Sequence, residues 1–242
     1  RLGHYPGIPT TLARRSPAGA SGPARRVLMM SSNGVGLGHL TRLLAIAKRL
    51  PPGIEPVFVT LSQALSLVEA EGFLAEYLPF HVYLEVPPEE WNRHLAADLA
   101  EIVAFYRPAV LVFDGNVPYQ GLLDTLRRFP ETIAVWSRRG FWRPSNDVKL
   151  LGRERAFDMV LEPGDLAAVM DRGPTTQYRE RTRQLAPVRL VEPEEALDRP
   201  AAMAALELDP AYRHVLLQLG SGNNFKVDHI ARFIAERLRD HP

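Results

Sequence analysis

Apolar positions along the chain fall into two alternating rhythms. Mostly apolar runs at 27–30, 57–60, 74–78, 110–113 and 132–136 have the length of strands, and the one at 27–30 is of the kind a parallel sheet buries on both faces. Between them, apolar residues recur every three or four positions. Leu40, Leu43, Leu44, Ala47 and Leu50 mark one helix, Trp91, Leu95, Leu99, Ile102 and Tyr106 a longer one, and Leu122, Leu123 and Leu126 a third. Ser62 can cap a shorter helix running to about Glu71, where Gly72 stops it. Pro51-Pro52-Gly53 and Arg107-Pro108 punctuate the pattern, the second because proline disfavours helix in the residue before it. Residues 159–161 and 188–191 are weaker strand candidates.

Strands alternating with helices predict an α/β fold: a Rossmann-like parallel sheet with helices on both faces. In such sheets ligands sit beyond the carboxyl ends of the strands. Three predicted strand ends carry unusual chemistry: the glycine-rich loop at 32–39, Asp114 to Tyr119, and the Arg-rich and aromatic stretch Ser137 to Arg143. The pattern divides the chain into a leader at 1–24, a main domain at 25–191, a linker at 192–212 and a second unit at 213–242. The leader is rich in Pro, Gly and Arg, and it has no acidic residue. Its Pro and Gly oppose the amphipathic helix of a targeting peptide. The second unit opens with a buried run at 215–219, a Gly220-Ser221-Gly222-Asn223-Asn224 loop and a helix striped by Ile230, Phe233, Ile234 and Leu238. It repeats the plan of residues 27–50, and one β–α unit cannot bury both faces of its own strand. It is therefore the last piece of the first sheet or the opening of a second domain.

Composition narrows the classes. A net charge of +1 over 242 residues gives no electrostatic case for nucleic acid. The absence of cysteine excludes disulfides and thiolate metal sites and fits a reducing, cytoplasmic setting. No apolar run reaches the roughly 20 residues needed to span a bilayer. The seven histidines are scattered without an H-x-x-x-H pair, so no metal site is expected.

The turn at Gly34, Gly36 and Gly38 first suggests a dinucleotide. The fingerprint starting at Gly34 would need glycine at position 39, which is His39, and the second strand ends in Thr60-Leu61 rather than an acid. No G-K-[ST] follows, which removes a P-loop. His39 stands at the entry of the first helix, where free N–H groups and the positive dipole end favour a neutral ring able to accept a proton. The bland alternative is a capping or core histidine. Asp114 is either a second candidate base, a group that orients a hydroxyl, or a turn residue in Asp-Gly. Arg138, Arg139 and Arg143, with Phe141 and Trp142, are expected to grip a phosphate, to rest on an anionic membrane surface, or to form a solvated loop.

The run Ser31-Ser32-Asn33-Gly34-Val35-Gly36-Leu37-Gly38-His39-Leu40-Thr41-Arg42, directly after a first strand, resembles the opening of GT-B glycosyltransferases of the MurG and diacylglycerol glycosyltransferase type. The alternation to about residue 191 continues that resemblance. The stretch Val215 to Gly222 looks like the first strand and loop of their carboxy-terminal domain. The chain departs from MurG in having fewer adjacent glycines in the first loop. It also carries Asp114-Gly-Asn-Val-Pro-Tyr-Gln-Gly121 in place of a second Gly-Gly-Tyr-type loop, so a MurG acceptor is not implied.

What the resemblance implies is metal-independent, inverting transfer of a sugar from a nucleotide sugar, UDP-linked, to an acceptor hydroxyl, without a cofactor. The acceptor would lie on the amino-terminal domain, the donor on the carboxy-terminal one. On this reading His39 and Asp114 are catalytic. Gly34, Gly36, Gly38, Arg42, Asn116, Tyr119, Arg138 and Arg139 bind substrate, and Gly220, Gly222, Asn223 and Asn224 form the donor-side loop. Two other readings stay open: a non-catalytic acceptor-binding subunit of a split transferase, and a nucleotide-sugar epimerase of the same fold. Peripheral contact with the inner face of a membrane is a further expectation.

Overall fold

A computed structural model of the protein describes residues 25–32, 37–217, 219 and 227–239. Seven parallel strands form one sheet: β1 (Arg25–Ser31), β2 (Ile54–Thr60), β3 (Leu74–Tyr77), β4 (Val110–Asp114), β5 (Ile133–Ser137), β6 (Met159–Glu162) and β7 (Arg183–Gln184). Their spatial order is β3-β2-β1-β4-β5-β6-β7. The chain starts in the middle, winds outward through β2 and β3, then returns to the other side of β1. The reversal leaves a crevice beyond the carboxyl ends of β1 and β4, the switch point of a doubly wound sheet.

Strand periodicity sorts the core into two layers. Leu28, Met30, Val57, Val59, Leu111, Phe113 and Trp136 face α4 (Pro88–Tyr106) and α5 (Gln120–Arg128), where Trp91, Leu95, Leu99, Leu122 and Leu126 meet them. Val27, Met29, Phe58, Val112 and Val135 face the opposite way. They pack on Leu40, Leu43, Leu44 and Ala47 of α1 (Gly38–Ala47) and on Val68 of α2 (Leu65–Ala70). Most of these side chains are sealed from solvent, each contributing about 1.5–3 kcal/mol of transfer free energy. Close approach of α4 and α5 depends on Gly121, where a Cβ would stand 2.5 Å from the Asn92 carbonyl oxygen. The Asn92 side chain also accepts the Gly121 N–H at 2.8 Å.

The five principal predicted strands and three principal predicted helices form where the periodicity places them, each shifted by a few residues. Four details differ. Residues 188–191 form no strand, and the outer edge of the sheet is the two-residue β7. Ser62 does not cap α2. Its Oγ accepts from the Ala64 N–H at 3.2 Å, a local turn that delays the helix to Leu65. The stretch read as linker contains α6 (Arg199–Ala205), capped by Asp198, whose side chain accepts from the Ala201 N–H at 2.8 Å. Residues 213–217 are not in a strand, and Val215 and Leu216 are exposed. A strand needs a partner ladder, and none is offered to this run among the described residues. The helix expected after it is present as α7 (Asp228–Arg239), with Ile230 and Phe233 on its exposed surface. A short α3 (His81–Leu84) follows β3.

Candidate active site

Register lines up the ends of the three strands that lead into the chemically unusual segments. Ser31 of β1 is paired with Asp114 of β4, and Asp114 with Ser137 of β5. Asp114 therefore stands at the centre of the row, at the lip of the crevice, with no exposed surface. The loop after β1 leads into α1, whose first turns carry His39 and Arg42. Three residues apart, these share one helix face, and both reach Asp114. His39 Nδ1 lies 2.6 Å from Asp114 Oδ1. Arg42 Nη1 donates to Oδ1 at 3.0 Å and to Oδ2 at 3.2 Å. Ser137 Oγ donates to Oδ2 at 2.6 Å.

An ionised carboxylate offers about four lone-pair directions, and these four contacts occupy them. Asp114 is thus saturated from within the protein. With a carboxylate at Nδ1, that nitrogen carries the ring hydrogen, and the lone pair is left on Nε2. Nε2 has no hydrogen-bond partner among the described residues, and the His39 side chain is 19% exposed. The arrangement is a histidine held through Nδ1 by a buried carboxylate, a contact that favours the Nδ1–H tautomer.

The third strand end continues from Ser137 into a buried charge cluster. Arg138 was expected to grip a phosphate, but its side chain is fully buried. It points inward, over the Trp136 ring, with Glu162 at 3.4 Å and Glu154 at 3.8 Å. Strand alternation is the reason: Arg138 extends the ladder through its N–H to the Leu161 carbonyl, and its side chain is directed beneath the β6 end. Trp142 is buried as well. Arg179 completes the cluster, its guanidinium 2.9 Å from Glu162 and 2.8 Å from Asp171. Asp171 also accepts the Phe141 N–H at 3.0 Å, which holds Phe141 in the left-handed region at φ 57°.

Arg139, the next residue, is exposed and alternates outward. With Arg42, Phe141, Glu162 and Arg179 it lines a cavity of about 290 Å³ beyond the ends of β5 and β6. A larger cavity of about 690 Å³, bounded by Leu126, Thr132, Lys149, Arg155 and Asp158, lies at the opposite ends of the strands and touches no candidate residue.

The remaining expected residues scatter. Gly38 opens α1, and a Cβ there would meet open space. Asn116 is exposed. Tyr119 is half-buried, its ring edge-on to Trp91 at 5.1 Å and to Phe113 at 5.8 Å, so it forms part of an aromatic wall. Gly34, Gly36, Gly220, Gly222, Asn223 and Asn224 lie outside the described residues. Sequence reasoning gave Ser137, Glu162, Arg179 and Asp171 no role. Only Ser137 carried a signal, a polar residue closing an apolar strand. Among the described residues no group of His, Asp and Glu is placed to hold a metal ion, and no helix is long and apolar enough to cross a membrane.

No protein-family profile matches the chain, and no curated protein matches it. Solved structures do. A glycosyltransferase from Rickettsia africae is similar over 76% of this chain and 50% of its own, with a TM-score of 0.51 and 10% identity. MurG of Acinetobacter baumannii matches over 59% of this chain and 42% of its own (TM-score 0.46, 12% identity). The UDP co-structure of S. aureus MnaA matches over 60% and 39% (TM-score 0.42, 11% identity). At such identities the likeness is one of fold. The chain shares a Rossmann-like α/β fold with the Rickettsia africae glycosyltransferase, and it spans half or less of the length of these three structures.

Proposed function

We propose that this chain is the acceptor-side part of a nucleotide-sugar-dependent glycosyltransferase in which His39 is the general base. The observation that carries the reading is the His39–Asp114 contact of 2.6 Å at the sheet's switch point, with no partner for Nε2 among the described residues. The acceptor hydroxyl gives its proton to His39 Nε2 as its oxygen attacks the anomeric carbon. The bond from that carbon to the diphosphate oxygen breaks, and the nucleoside diphosphate departs with the electron pair. Attack opposite the leaving group inverts the anomeric centre. Asp114 stays ionised and stabilises the imidazolium that forms, as the carboxylate does in other His–carboxylate pairs. Its choice as orienting group rather than base follows from its filled acceptor positions. Arg42 and Ser137 hold the carboxylate in place. The nucleotide sugar is taken to be UDP-linked and would be held from across the cleft, by the donor-side loop that the family resemblance assigns to Gly220, Gly222, Asn223 and Asn224.

The test is turnover by the complete gene product with a panel of nucleotide sugars, UDP-linked ones first, with and without acceptors. His39→Ala should lower transfer by about 10²–10⁴-fold, the usual contribution of a positioned base. Transfer at the wild-type rate by the variant would end the assignment. Sugar-nucleotide turnover that needs no acceptor and releases no nucleoside diphosphate would favour an epimerase. Acceptor binding without any turnover would favour a non-catalytic subunit.

A further inference from the structure

We propose that the 290 Å³ cavity lined by Arg42, the residue that also pairs with Asp114, is a phosphate site, with Arg139 as its principal ligand, and that the acceptor carries the phosphate. This rests on reading the crevice as the acceptor side of a transferase, and it adds the substrate class.

Three guanidinium groups reach the cavity from three different elements: Arg42 from α1, Arg139 from the segment after β5, and Arg179 from the 3₁₀ turn Pro174–Arg181. Their engagements differ. Arg179 spends Nε and Nη2 on Glu162 and Asp171. Arg42 spends Nη1 on Asp114, which leaves its other donors toward the cavity it lines. Arg139 is exposed and has no ion pair or side-chain hydrogen bond among the described residues, so its fork of donors is uncommitted there.

The two acids on the same wall do not cancel this. Glu162 is buried and held by Arg138 and Arg179. Asp165, at the mouth, accepts the Ala167 N–H at 2.8 Å in a local turn. Gly140 keeps the wall thin, since a Cβ there would stand 3.0 Å from Asp171 and 3.4 Å from Glu162. Donors converging from three directions suit a tetrahedral oxyanion better than a planar carboxylate, which one fork would satisfy. Sharing Arg42 with Asp114 ties occupancy of this site to the placement of the reacting hydroxyl.

The probes are inorganic phosphate, glucose 6-phosphate, acetate and glucose, titrated into the isotope-labelled chain and followed by amide NMR at fixed ionic strength. Phosphate and glucose 6-phosphate should shift Gly140, Phe141, Gly164 and Ala168, and acetate and glucose should not. Tighter binding of the sugar phosphate than of phosphate would place the phosphate on the acceptor. Equal affinity would overturn that part and leave an inorganic phosphate site. Arg139→Glu should weaken binding tenfold or more, the usual effect of losing a charge-assisted bond. Arg127→Ala, at the far end of the strands, should not weaken it. Shifts elsewhere, acetate binding as well as phosphate, or wild-type affinity in Arg139→Glu would overturn the proposal. No nucleotide sugar takes part, so the site can fail while the transferase reading stands, and the reverse.

Discussion

Removing the Asp114 carboxylate tests the site through stability alone. Asp114→Ala strands two groups at once. Ser137 Oγ is buried and loses its only acceptor among the described residues, a cost of about 1–3 kcal/mol. The Arg42 side chain is only 20% exposed and loses a two-oxygen ion pair. Breaking a fully buried pair from one side costs about 3–5 kcal/mol, and partial exposure reduces that. The sum expected is about 4 kcal/mol. For a chain of this size that lowers the melting temperature by about 8–16 °C. The assay is thermal unfolding by circular dichroism, with urea unfolding followed through the three tryptophans, all buried, as a second measure. His39→Ala removes only the outermost partner and should cost about 1 kcal/mol. Ser137→Ala should fall in the same range. A melting temperature for Asp114→Ala within about 2 °C of wild type would refute the claim that this carboxylate anchors the site.

Three further outcomes follow from other parts of the fold. Gly173→Ala would set a Cβ 2.1 Å from the Trp142 carbonyl oxygen, so it should cost about 2 kcal/mol or more, while Gly38→Ala, facing open space, should leave the melting temperature nearly unchanged. Burial and the neighbouring Glu101 push the Asp98 carboxyl up from 3.8, with His94 opposing. A carboxylate raised on folding costs stability as pH climbs above its ordinary value, so Asp98→Asn should melt higher than wild type at neutral pH, and the two curves should converge below pH 3.8. Long-range ¹⁵N NMR of His39 should show the Nδ1–H tautomer in wild type and a mixture in Asp114→Ala; a mixture in both would remove the orienting role.

Much of this was legible in the sequence because it is local. The run 27–30 and the α1 stripe each lie within one short stretch of chain, and period alone places them. The same holds for the apolar runs that became β2, β4 and β5. The site was legible only as a set of strand ends. Its assembly depends on register, which pairs Ser31 with Asp114 and Asp114 with Ser137 across more than 20 residues of chain. Arg138 and Arg139 read alike in sequence, yet alternation buries one and exposes the other. Residues 215–217 show the limit of composition: apolar residues suggest a strand, but a strand forms only against a neighbour.

The most direct test of the central claim is nucleoside diphosphate release by the complete gene product, comparing wild type with His39→Ala under identical donor and acceptor. The account predicts release by wild type and a loss of about 10²-fold or more in the variant, with the melting temperature little changed. Release by His39→Ala at the wild-type rate would contradict it.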